Sequence, residues 1–315
     1  MPKGIISQTF VILFHEYVEI ESLRSLLTEF NIVKQTPGGS NWALGGPSLI
    51  VEYMRAVNGL VAVDIVNQPW PDHMGDPKKD FDIFGAWAMG WFGPFTFPGG
   101  LERAVQQSWQ WPEAKARVPQ HTGFARLRMS YSFGLPKDAK CLPENYDPLA
   151  ELDFLGALTS TLLQHPAAGC YFNPNGELVL PKARLDEQIL FAREHNLPAM
   201  PAWSNVRLFN YNADWLLMDT IGNWQVDMPD HEMAIPRANF KGGAHDAWLR
   251  DVSLYVLRNP GAIKDGHTMD QPGGQIWQEK TFKQGLCPPP RQLMRWLPMG
   301  GKDIPRQFLE EKPTT

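Results

Sequence analysis

The chain has little cysteine: three in 315 residues, at Cys141, Cys170 and Cys287. They are far apart and odd in number, and no Cys-x-x-Cys pair occurs. Neither a zinc ribbon nor a disulfide framework is available. This usage fits a reducing compartment, and a cytoplasmic location is the expectation. Long apolar runs are absent as well. No window reaches the roughly eighteen apolar residues of a membrane helix. The early stretch TFVILFH is too short for the apolar part of a secretory leader and runs into acidic HEYVEIE. No membrane association is expected. Lys and Arg never gather into a basic run and the net charge is -5, so no nucleic-acid surface is expected either.

The common catalytic signatures are missing too. There is no Gly-x-Ser-x-Gly elbow and neither of the glycine-rich phosphate loops. Cys170, within AAGCYF, reads as a buried strand thiol. The eight histidines are isolated from one another, so a metal site would need assembly over long range. No catalytic residue, metal or cofactor is expected from motifs.

What is present is a large apolar stock. Apolar residues make up 43 % of the chain and twelve are Trp, enough for one large core or two medium ones and too much for disorder. TFVILF reads as a buried strand, and EIESLRSLLTEFN as a helix with Ile20, Leu23, Leu27 and Phe30 on one face. SLIVEYM and GLVAVDIVNQPWP read as strands joined at Val57, Asn58 and Gly59. DFDIFGAWAMGWF and GLERAVQQSWQW read as helices. In FARLRMSYSF, Ala125, Leu127, Met129, Tyr131 and Phe133 point one way, and Arg126, Arg128, Ser130 and Ser132 the other. That alternation predicts a half-exposed strand with its arginines in water.

LPKDAKCLPENYDP, at 135–148, reads as a linker. It is followed by the helix PLAELDFLGALTSTLLQH, the hairpin AAGCYFNPNGELVLP and the helix KARLDEQILFAREHN. NVRLFNY and DWLLMDT read as strands, with NWQVDM as a third after a turn at Ile221, Gly222 and Asn223. A helix follows at GAHDAWLRDVSLYVLRN, and then a Pro-, Gly- and Trp-rich tail expected to lie over the body. Strands and helices mix without βαβ alternation. The expected fold is α+β with mixed, largely antiparallel sheets flanked by helices. Two similar halves are expected, an α+β half at 1–140 and a second at 141–315 carrying the irregular tail.

The densest chemistry lies in DTIGNWQVDMPDHEM, at 219–233. His231 and Glu232 are adjacent, so on a strand they point to opposite faces and do not converge on a metal. The preferred reading is a hairpin with a polar rim, its turn capped by Asp230. QPWPDHMGDPKKD holds Asp72, His73, Asp76 and Asp80 without the ligand series of a calcium loop and reads as an exposed loop. FGAWAMGWFGPFTFPGG gathers Trp87, Trp91, Phe92, Phe95 and Phe97. Most of these rings are expected in the core. Aromatics set among glycines and prolines also make this segment a candidate contact surface.

Several stretches together resemble a bacterial family, the domain of unknown function 4261. They are GLVAVDIVNQPWP, HTGFARLRMSYS, PAAGCYFNPNGELV, LLMDTIGNWQVDMPDHEM with its Thr-x-Gly turn and Pro-Asp pair, and YVLRNPGAIKDGHTM with its Asp-Gly turn. They span about Phe10 to Met269, leaving out 87–97 and the C-terminal tail. The resemblance implies a bacterial α+β protein and brings no catalytic residues. It also implies a neighbourhood of secretion and toxin genes, hence an immunity or adaptor role. The expected function is that of a non-enzymatic cytoplasmic protein-binding protein, an immunity or adaptor protein of a type VI secretion system. Its contact candidates are Asp72, His73, Trp87, Trp91, Phe95, Asp230, His231 and Glu232. The alternative is an enzyme or secreted effector in which Asp72, His73, His121, Asp219, His231 and Glu232 converge between the halves.

Overall fold

The computed structural model describes residues 3–136, 138–271, 274–300 and 304–311. The chain forms two compact units, Met1–Trp203 and Ser204–Thr315. Both are α+β, and among the described residues every strand pair but one is antiparallel.

The first unit runs β1 (Gln8–Phe14), α1 (Ile20–Leu26), β2 (Ile32–Thr36), β3 (Ser48–Met54), β4 (Gly59–Val66), α2 (Phe81–Ala88), α3 (Gly100–Gln106), α4 (Ala114–Arg117), β5 (Gly123–Ser130), α5 (Pro148–Leu162), β6 (Ala168–Asn173), β7 (Leu178–Leu180), α6 (Lys182–Glu194) and α7 (Met200–Trp203). Its sheet has the order β2-β3-β4-β5-β1-β6-β7. Asn58 takes the left-handed conformation that lets β3 turn into β4 (φ 56°). Asp147 caps α5 by accepting from the N–H groups of Leu149 and Ala150.

Both faces of the central strands β1, β4 and β5 are buried, which explains their near-continuous apolar sequence. α5 packs against β1 and β5, where Phe10, Ile12, Leu127 and Met129 sit without solvent contact. On the other face Val11, Leu13, Phe124, Cys170 and Phe172 join Trp70, Trp87, Phe92, Leu101 and Trp111 in one cluster. Trp70 is its hub, with ring centroids 5.1–6.1 Å from Trp87, Phe92, Phe124 and Phe172. Arg126 and Arg128, expected in water, are therefore buried. The alternation in β5 separates two covered faces.

The division expected at residue 140 is not where the chain divides. β6 hydrogen-bonds beside β1, and β7 beside β6, so everything through α7 belongs to the first unit. The 135–148 segment is a connection within that unit.

The second unit runs β8 (Asn205–Asn210), β9 (Trp215–Ile221), β10 (Asp230–Pro236), α8 (Gly242–Arg258), β11 (Thr268–Asp270), β12 (Ile276–Phe282), β13 (Leu293–Pro298) and α9 (Arg306–Leu309). Its sheet order is β11-β12-β13-β10-β9-β8, with β10 and β13 parallel. α8 covers one face through Trp248, whose ring lies 5.1 Å from that of Trp296. The other face carries Trp215, Leu217, Ala234 and Leu297 against Phe308 of α9. The tail thus covers the sheet only in part, because IWQEKTF and LMRWLP are strands within it. The hairpin strand expected at NWQVDM is also displaced. Residues 223–226 form a single 3-10 turn flanked by left-handed Gly222 and Asp227, and the second strand begins at Asp230.

Candidate functional site

A lone charge inside an apolar strand must find a partner, since burying it unpaired costs several kcal/mol. β9 carries Asp219 and β10 carries Glu232, directly opposite each other across the ladder. Asp219 is in turn opposite Arg207 of β8, and Glu232 is opposite Arg295 of β13. One row across four strands therefore reads Arg, Asp, Glu, Arg, and all four side chains are fully buried.

Arg207 grips Asp219 with two bonds, Nε to Oδ1 at 2.9 Å and Nη2 to Oδ2 at 2.6 Å. Arg291, from the segment before β13, donates to Asp219 Oδ2 at 2.7 Å and to Asp230 Oδ2 at 3.0 Å. Arg291 also binds the carbonyls of Thr220, Cys287 and Pro289. Asp230 Oδ1 accepts from Thr220 Oγ1 and from the Asn223 N–H, closing the turn after β9. Arg295 donates to Glu232 Oε2 at 2.6 Å and to the Phe308 carbonyl at 3.0 Å, with its guanidinium 3.8 Å from the Phe282 ring centre. Glu232 Oε1 accepts from the Leu286 N–H.

The electrostatics follow from these partners. Burial pushes the Asp219 carboxyl up, but Arg207 and Arg291 outweigh it and hold the group below the ordinary range. Burial wins at Asp230 and Glu232, which have one guanidinium each and lie raised. Every oxygen of the three carboxylates accepts at least one hydrogen bond. None is left to take a proton from a substrate, and none faces water. The arrangement fastens the tail segments around 286–291 and 307–308 to the sheet.

His231 points to the opposite face from Glu232, as strand geometry requires. Its Nδ1 accepts from the Trp296 indole N–H at 3.3 Å, so the neutral ring carries its proton on Nε2. Burial pulls its pKa down to about 3, and the ring stays neutral. Asp230, His231 and Glu232 are thus corrected from contact residues to core residues. Because His231 and Glu232 look away from each other, the site proposed from the six dispersed residues does not assemble. Among the described residues no group of three or more His, Cys, Asp or Glu is arranged to hold a metal ion.

The first unit repeats the device with residues the sequence reading did not single out. Asp64 of β4 stands opposite Arg126 of β5 and accepts from it at 2.6 Å, and from Arg128 at 2.8 Å. The arginines also bind the carbonyls of Trp42, Ala43 and Leu44. Gly46 completes the clamp by donating its N–H to Asp64 Oδ2. A Cβ on Gly46 would lie 1.8 Å from the Ile65 carbonyl oxygen, so only glycine fits there. Burial raises the Asp64 carboxyl, and the two guanidiniums bring it below its ordinary value. The signal was in the sequence: a lone Asp in GLVAVDIV, facing the arginines of FARLRM.

The remaining candidates fall in the first unit. Asp72 caps α3 from a distant loop, accepting from the N–H groups of Leu101 and Glu102 at 3.0 and 2.8 Å. His73 is exposed. His121 uses both ring nitrogens on backbone: Nδ1 reaches the Val118 carbonyl and Nε2 accepts from the Trp70 N–H. Trp87 is buried in the aromatic cluster. Trp91 is half-buried, with the Arg128 guanidinium 5.2 Å from its ring centre. Phe95 is half-buried with a positive φ of 57°. An exposed apolar stripe lies just upstream instead. Phe81, Phe84, Gly85, Ala88 and Met89 share one side of α2 and its C-cap, with Phe81 70 % and Met89 61 % exposed and Phe84 and Gly85 half-buried.

The matched family accounts for part of the second unit. Residues 219–297 match the model of the domain of unknown function DUF4261. The match begins at Asp219 and includes Asp230, Glu232, Arg291 and Arg295, leaving out Arg207. It takes in the quoted stretches from Asp219 onward and extends beyond Met269. The three quoted stretches from the first unit lie outside it. The DUF4261 match thus covers a portion of the chain that is shorter and further toward the C-terminus than the sequence resemblance suggested. No curated protein and no solved structure matches the chain.

Proposed function

We propose that the protein works by binding another protein through the outward face of α2, the partner being a basic protein with an apolar groove. The observation that carries this reading is the stripe of Phe81, Phe84, Gly85, Ala88 and Met89. The spacing i, i+3, i+4, i+7, i+8 keeps one helix side apolar. A helix side of this kind is what enters a groove when one protein presents a helix to another. Large aromatic and Met side chains at 70 % and 61 % exposure supply the anchor area.

Charge selects the partner. Residues 1–203 hold 16 Lys and Arg against 21 Asp and Glu, whereas 204–315 hold 13 of each. The whole excess of negative charge belongs to the unit that carries α2, and it draws a basic partner toward it. The carboxylates of the two arginine clusters, Asp64, Asp219, Asp230 and Glu232, are internally satisfied, which favours a scaffold over a catalyst at these positions. The narrower form of the reading is a cytoplasmic immunity or adaptor protein of a bacterial secreted-toxin system, of the type VI class, which covers its toxin without chemistry.

The test is capture from native bacterial lysate with the tagged chain and with the double variant Phe81→Asp, Met89→Asp. A basic protein held in stoichiometric amount by the natural chain and lost by the variant supports the reading. No stoichiometric partner, or capture that the variant leaves unchanged, overturns it.

A further inference from the structure

The second unit contains a cavity of about 340 Å³ beside the first turn of α8, within the usual size range for small-molecule sites. It is lined by Asn239, Lys241, His245, Gln271, Gln275 and Trp277, together with Pro236, Ala238 and Gly274. Among the described residues no carboxylate lines it, and Lys241 is the one cation. Two polar groups that point to a ligand stand out. His245 is 3 % exposed, and its Nδ1 lies 2.9 Å from the Lys241 carbonyl oxygen. The Lys241 N–H also lies 3.1 Å from Nδ1, so the Lys241 backbone occupies that nitrogen, and Nε2 has no partner among the described residues. Gln271 is 6 % exposed and accepts the Trp277 indole N–H on Oε1 at 3.1 Å. That bond fixes its amide, and its Nε2 donors have no partner among the described residues.

We propose that this cavity binds a small organic anion that also carries a hydroxyl. Lys241 and the Gln271 amide donate to its oxyanion, the His245 Nε2 hydrogen-bonds its hydroxyl, and its carbon body lies against Trp277. Lys241 is the N-cap residue of the seventeen-residue α8, so the positive end of the helix dipole adds to its charge. Burial holds the pKa of His245 below its ordinary value, which keeps the ring uncharged at neutral pH. Nothing in this inference depends on α2 or on a protein partner.

Calorimetric titration of the full chain with glycerol 3-phosphate and with malate, at matched ionic strength, tests it. The two probes share the hydroxyl and differ in the oxyanion, so they separate a phosphate site from a carboxylate site. Gln271→Glu retains the acceptor for Trp277, removes the two donors and places a negative charge in the cavity. Saturable one-to-one binding of at least one probe is expected, weakened about tenfold or more by Gln271→Glu. Lys241→Met, at an exposed position, is expected to weaken it likewise and covers the case in which Gln271→Glu does not fold. Absence of saturable binding of either probe, or binding that a folded variant leaves unchanged, overturns the proposal.

Discussion

Each unit buries an aspartate between two arginines, and the surroundings of the two aspartates differ. In the first unit one carboxylate, Asp64, serves Arg126 and Arg128, and loop carbonyls at 42–44 accept further bonds from both. In the second, Asp219 shares Arg291 with Asp230, and Glu232 holds Arg295 alongside. The first arrangement depends on a single acid, and the second is distributed over three. In both, the strand pair supplies the in-register bond, and the arginines fasten irregular chain onto the sheet. A cluster of Asp, Glu and Arg in a sequence can therefore mark a clamp between layers as readily as an active site. What separates the two is whether any carboxylate oxygen is left over.

The sharpest way to break the comparison is to neutralise each aspartate. Asp64→Asn leaves two buried guanidiniums facing one neutral amide, and a loss on the order of 3–5 kcal/mol is expected. Asp219→Asn takes the acid from buried Arg207 but leaves Arg291 with Asp230, so that one guanidinium instead of two loses its carboxylate, and a smaller loss of roughly 2–3 kcal/mol is expected. Denaturant unfolding of the two variants checks the order. Equal losses would mean that the extra acids of the second unit do not share the load.

Acid adds a contrast within the second unit. His231 is held neutral, with its pKa lowered from 6.5 to about 3. A histidine with a depressed folded pKa contributes stability that is complete above pH 6.5 and is lost as pH falls toward 3. Raised Asp230 and Glu232 act in the opposite sense, so the informative quantity is a difference. Between pH 7 and pH 4 the natural chain is expected to lose stability relative to His231→Phe. Parallel pH profiles would contradict the assignment. The smallest effect is expected at Trp91, where Trp91→Ala removes a half-buried ring from beside Arg128. About 1–2 kcal/mol is expected by unfolding, with capture of a partner unchanged.

Much of the fold was legible because periodicity and turn chemistry are local. α5, α6, α8 and the β6–β7 hairpin lie where the sequence places them, α1 starts there but ends at Leu26, before Leu27 and Phe30, and the α+β class follows from their order. The errors have different causes. β5 shows the same alternation whether its arginines meet water or Asp64, and only the layer formed by 70–118 decides between them. β12 and β13 were hidden because Pro- and Gly-rich turns at 283–292 separate two strands that pair across them. The second hairpin strand was placed too early because Gly222 and Asp227 both turn the chain before Asp230 starts β10. Aromatic density pointed to 87–97, yet Trp87 and Phe92 fill the core. The exposed stripe at 81–89 is visible in the sequence as an apolar helix side, but which side faces out depends on Trp70 and the sheet beneath.

The most direct test of the central claim, that charge is internal and contact lies on α2, pairs two variants in one capture assay. Phe81→Asp, Met89→Asp and Asp219→Asn are compared with the natural chain at a temperature where all are folded, with melting recorded on the same samples. The α2 variant is expected to melt like the natural chain and lose the partner, while Asp219→Asn is expected to melt lower and keep it. Loss of the partner by folded Asp219→Asn, with capture intact in the α2 variant, would contradict the claim.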